Sequence, residues 1–162
     1  MNITLDSVEQ QLANIMAMDN VKVSDDLGYE SKKRDNTRSH YEICLEGYGA
    51  ELAVAKALNV YPSLGSEFSK IDLNFNGTIN VKSTHYPNGR LLVPDYQGRT
   101  TDWYILVIGK IPEYRIAGVA HADQVFRQEN IKDLGKGPAY LLTQNQLQPF
   151  EDWASFNSKQ KC

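Results

Sequence analysis

Apolar side chains recur at three- and four-residue steps in two stretches before the chain changes rhythm. Leu5, Val8, Leu12 and Ile15 predict a helix over residues 4–19, with Asp6 or Ser7 at its N-terminus. Residues 20–40 are polar and charged with few apolar anchors, which predicts a loop or arm. Leu45, Tyr48, Leu52 and Ala55 mark the inward stripe of a second helix over residues 41–58, rich in alanine and ending near Asn59. From residue 71 the period drops to two. Ile71, Leu73 and Phe75 alternate with Asp72 and Asn74, Asn76-Gly77 marks a turn, and Ile79 and Val81 alternate with Asn80 and Lys82. A strand at 90–93 follows. The run Trp103-Tyr-Ile-Leu-Val-Ile108 is apolar at every position, as expected of a central strand covered on both faces. A strand at 114–120, a short helix near 122–128, a strand at 139–142 and a helical turn from about Thr143 complete the pattern. This order predicts an α/β fold with a mixed sheet flanked by helices.

The hairpin register follows from the same alternation. A two-residue Asn76-Gly77 loop would set Leu73 opposite Asn80 and split the apolar set between faces, which a buried sheet does not tolerate. A three-residue loop Phe75-Asn76-Gly77, built as a type I turn with Gly77 left-handed in a bulge, sets Asn74 opposite Thr78 and Asp72 opposite Asn80. Ile71, Leu73, Ile79 and Val81 then line one face. Asp72, Asn80 and Lys82 share the other.

Composition narrows the class. The 162 residues fit one domain of 1–162, divided into an N-terminal helix and polar arm (1–40), a core (41–120) and C-terminal elements (121–162). A hydrophobic share of 41% and a charged share of 23% are those of a globular protein. No apolar run is long enough to span a bilayer and the first ten residues lack a signal-peptide pattern, so no membrane association and a cytoplasmic location are expected. Cys44 and Cys162 are expected as reduced thiols, and neither has zinc-ligand spacing to another Cys or His. A net charge of -3 argues against a non-specific nucleic-acid coater. It leaves room for an enzyme with acidic ligands in its cleft and a local basic rim, for which Lys32, Lys33, Arg34 and Arg38 are candidates. Trp103, Tyr104, Trp153 and Phe156 are expected as packing residues.

Glu51 in GYGAELAVAKALN, Asp72 in KIDLNFNG and Asn80-Val81-Lys82 in TINVKST, followed by RLLVPDY, DWYILVIG and YRIAGVA, resemble the PD-(D/E)xK nuclease superfamily over residues 41–120. The resemblance implies a restriction-endonuclease-like core and a phage-type, Mg2+- or Mn2+-dependent endonuclease hydrolysing DNA phosphodiester bonds. It also implies a homodimer and no organic cofactor. Glu51, Asp72, residue 80 and the Val81 carbonyl would be the metal ligands. Glu51, Asp72, Asn80 and Lys82 would be the catalytic set, with Lys82 orienting or deprotonating the attacking water. Glu46 competes with Glu51 as the helix acid but lies roughly 140° around the helix. His85, Tyr86 and Arg90 are candidates for nucleic-acid contact, together with the four basic residues at 32–38.

The chain departs from the motif at Asn80, where an acid is usual. Aspartate and asparagine have nearly the same shape, but the exchange removes a charge that a hard cation needs. Cleavage is therefore weakened or lost in nature, or Asn80 is a deliberate inactivating replacement of aspartate, the reading that the isosteric exchange favours. The competing function is a catalytically inactive module of the same fold that binds nucleic acid or a partner protein, such as a counter-defence factor. An unrelated α+β domain would not bring Glu51, Asp72 and Lys82 together.

Overall fold

The structure, a computed structural model, describes residues 1–28, 37–62, 64 and 72–159. Strand β1 (Asn2–Thr4) opens the chain where the apolar pattern gave no strand signal. Helix α1 (Ser7–Asp26) begins in a capping box: the Asp6 carboxylate accepts the Val8 and Glu9 N–H groups, and the Glu9 carboxylate accepts the Asp6 N–H. It continues to Asp26, so much of the loop expected from residue 20 is helix. Its inward face also differs from the expected stripe. Val8 and Ile15 are 70% and 63% exposed, whereas Ala13 and Ala17 are fully buried. Side chains that end at Cβ let α1 lie close on its neighbour; Val8 and Ile15 turn outward, while Leu12 packs against the core.

That neighbour is α2 (His40–Leu58), capped by Ser39, whose hydroxyl accepts the Glu42 N–H while the Glu42 carboxylate accepts the Ser39 N–H. It ends at Asn59 in the left-handed conformation. Asn20 donates to the Tyr48 hydroxyl at 2.9 Å and Lys56 pairs with Glu9 at 2.8 Å, which ties the two helices together.

The remaining elements are β2 (Leu73–Asn74), β3 (Thr78–Thr84), β4 (Leu91–Pro94), β5 (Trp103–Lys110), β6 (Glu113–His121), α3 (Ala122–Val125), β7 (Ile131–Asp133), β8 (Pro138–Leu142) and α4 (Phe150–Lys159). A five-stranded sheet runs β1-β6-β5-β3-β2, mixed because β3 and β5 are parallel while the other pairs are antiparallel. β4 does not join it. It pairs with β8 in a separate antiparallel sheet of order β4-β8-β7. The fold is thus α/β, a mixed sheet flanked by helices with a small second sheet.

β5 shows why its sequence is apolar throughout. Ile105 and Val107 pack with α2, α4 and Ile79 on one face, and Tyr104, Leu106 and Ile108 pack with Leu91, Val93 and Leu142 on the other. Tyr104 and Trp153 are core residues as expected, but Phe156 is 65% exposed. No helix among the described residues is long and apolar enough to cross a membrane.

The β2–β3 hairpin takes the register that the alternation requires, with Leu73 opposite Ile79 and Asn74 opposite Thr78. The loop geometry differs from a type I turn with one left-handed residue. Both Asn76 (φ 49°) and Gly77 (φ 123°) have positive φ. Thr78 is held from the opposite side, its N–H and hydroxyl both donating to Asp102 at 2.8 Å.

Candidate functional site: an acid–lysine pocket

β2 is two residues long, so β3 loses its antiparallel partner at residue 80. The Asp72 side chain takes over there. Its Oδ2 accepts the Val81 N–H at 2.6 Å, while its own N–H donates to the Ile79 carbonyl at 2.8 Å. Where the ladder ends, a carboxylate satisfies the backbone and is fixed by it. Asn80 and Lys82 project to the same side of β3, away from Ile79, which is fully buried against the helices. α2 brings Glu51 to this edge.

Glu51, Asp72, Asn80, Val81 and Lys82 line one pocket of about 410 Å³, together with Tyr96 and Gln97. Glu51 and Lys82 each feel both other charged groups, and Asp72 feels Lys82. Burial pushes Glu51 well above the usual carboxylate range, the Asp72 charge pushes it further, and the Lys82 ammonium opposes both. Burial raises Asp72 to about 6 against the pull of the Val81 N–H and of Lys82. Burial lowers Lys82, and Asp72 and Glu51 hold it up. Two carboxyl groups and one amine thus share a site too dry to ionise them freely, which is how functional acids and bases are tuned toward neutrality. Lys82 is steered by Gln97, whose Oε1 accepts its Nζ–H at 3.0 Å.

Glu46 is placed elsewhere. It pairs with Arg38 at 2.5 Å, and His85 Nδ1 lies 3.9 Å from its carboxylate and 3.1 Å from Arg38 Nη1. Arg38, His85, Tyr86 and Arg90 gather at a second cleft of about 500 Å³ that shares Lys82 with the first. Lys32, Lys33 and Arg34 lie outside the described residues. Tyr96 and Gln97 escaped the sequence reading. They sit in a single 3-10 turn (Asp95–Gln97) after β4, with no periodicity of their own to mark them.

Among the described residues no group of three or more His, Cys, Asp or Glu side chains is arranged to hold a metal ion. The pocket offers two carboxylates, the Asn80 amide oxygen and the Val81 carbonyl, an all-oxygen set of the kind that hard divalent cations take. These oxygens suit the donor chemistry of such a cation. No family model, curated protein or solved structure matches the chain.

Proposed function

We propose that the acid–lysine pocket is the phosphodiesterase site of a restriction-endonuclease-like protein of the PD-(D/E)xK type, acting on DNA with Mg2+ or Mn2+ and weakened or silenced by Asn80. The observation that carries this reading is the sharing of one pocket by Glu51, Asp72, Asn80 and Lys82. They come from a helix and a hairpin in the order that the motif requires. A cation bound by Asp72, Glu51, residue 80 and the Val81 carbonyl would polarise a phosphate oxygen and acidify a water. Asp72, clamped by the Val81 N–H, presents its remaining oxygen in a fixed direction. Lys82, whose proton burial loosens, takes a proton from the attacking water or neutralises charge growing on the phosphate. Gln97 holds the amine in reach of both roles.

Asn80 favours a second reading, a silent module that keeps the pocket for binding. One assay separates the two. The chain, its Asn80→Asp variant and the Asn80→Asp/Lys82→Met double variant are incubated with Mg2+ or Mn2+ on linear, nicked, single-stranded and branched DNA. Cleavage by Asn80→Asp that the second substitution abolishes supports the nuclease. Absence of cutting by any of them on all four substrates removes it in favour of the binding module.

A further inference from the structure

Lys82 belongs to two cavities. On one side lies the acid pocket and on the other the cleft of about 500 Å³, whose chemistry is different. Its walls come from three elements: Ile43 of α2, Leu92 of β4 and Leu141 of β8. Its mouth carries His85, Tyr86 and Arg90. The His85 and Tyr86 rings stand 4.0 Å apart between centroids, and His85 is held by Arg38, itself anchored by Glu46. The aromatic pair is therefore braced against α2. Arg90 is exposed and makes no ion pair among the described residues.

An apolar slot whose lining also carries two aromatic rings and the basic side chains of Lys82 and Arg90 matches a flat, weakly polar body flanked by two anions. A nucleotide within a strand has that form. Resting on the nuclease reading of the adjoining pocket, we infer that this cleft receives the base of one unpaired nucleotide of DNA. Its flanking phosphates lie against Lys82 on one side and Arg90 on the other. The volume falls within the roughly 300–1,000 Å³ of small-ligand pockets. A base in a duplex is stacked and paired and cannot enter. Extruding it costs a few kcal/mol, least where it is already unpaired. The cleft thus assigns the substrate class: DNA with an unpaired nucleotide beside the scissile phosphate, as in a flap, a branch or a single strand.

The test measures binding without cleavage, by fluorescence anisotropy of labelled DNA with Ca2+ in place of Mg2+. A duplex, a duplex with a single-stranded flap, and flaps in which each unpaired nucleotide in turn is abasic are compared. The flap should bind more tightly than the duplex. One abasic position should weaken it by at least about fivefold, the low end of what one base–aromatic stack contributes. Leu92→Trp, which fills the cleft, should remove that sensitivity. Tyr86→Ala, at an exposed position, should do the same without touching the core. Equal affinity for flap and duplex, or indifference to every abasic replacement, would overturn the base pocket while leaving the nuclease reading intact. Failure to bind any DNA would overturn both.

Discussion

Replacing Asp72 by asparagine should stabilise the protein at neutral pH and do nothing useful in acid. Burial raises the folded-state Asp72 from 3.8 to about 6. A carboxyl group whose folded value lies above its unfolded one favours folding while it is protonated. Its contribution is fully present below pH 3.8 and is lost as pH rises through 6. Two units correspond to about 3 kcal/mol of stability lost at pH 8 relative to a pH well below 3.8, most of it between pH 4 and 8. Asparagine has almost the same shape, carries no charge at either pH and keeps an oxygen for the Val81 N–H, and the stronger hydrogen bond of the charged acceptor is already contained in the value of about 6. The net gain at pH 8 is about 3 kcal/mol, or roughly 6–12 °C in Tm for a domain of this size. Relief of Glu51, which the Asp72 charge pushes up, acts in the same direction. Guanidinium unfolding followed by Trp103 and Trp153 fluorescence at pH 4, 6 and 8 measures the difference. The Asp72→Asn curve should be flatter than that of the parent and cross above it as pH rises. Parallel curves, or a variant that is less stable at every pH, would refute the account of Asp72 as a carboxylate held ionised at the expense of stability.

The same electrostatics predict that Mg2+ raises the Tm of the Asn80→Asp variant, by about 2.7 kcal/mol of stability at a hundredfold excess over Kd. The parent chain should shift less and Asp72→Asn should not shift, as scanning calorimetry would show. A methyl group at Gly49 would overlap the Tyr114 hydroxyl, which donates to the Glu46 carbonyl, so Gly49→Ala should lose about 1–3 kcal/mol in urea melts. The loss should shrink in a Tyr114→Phe background. Ser39→Ala removes the hydroxyl from the capping box at the start of α2 and should cost about 1 kcal/mol, read from the urea midpoint.

The pocket's acids and lysine were legible because their arrangement is local. A hairpin with one apolar face fixes its register, and the register alone puts Asp72, Asn80 and Lys82 on one side. Glu51 came from the resemblance, with Glu46 its competitor on the same helix. The partners that complete the pocket were not legible, because Tyr96 and Gln97 arrive on a turn positioned by β4 and its pairing with β8. Leu91–Pro94 reads as a strand but says nothing about which sheet it joins. β1 has three residues, too few for a period, and is fixed by pairing with β6. The apolar set expected of the first helix was half right: Leu5 and Leu12 meet the core, but Val8 and Ile15 do not. Hydrophobicity ranks Val8 and Ile15 above Ala13 and Ala17, but close helix contact favours the smaller side chains.

Glu51, Asp72, residue 80 and Lys82 are proposed to form one cation-and-phosphate site. Counting bound Mn2+ by electron paramagnetic resonance tests it without knowledge of any substrate. Asn80→Asp should bind one Mn2+ per chain, more tightly than the parent. Adding Asp72→Asn or Glu51→Gln should abolish or sharply weaken that binding, and adding Lys82→Met should spare it. Mn2+ affinity that ignores the residue at position 80, or that survives loss of both Asp72 and Glu51, would contradict the account.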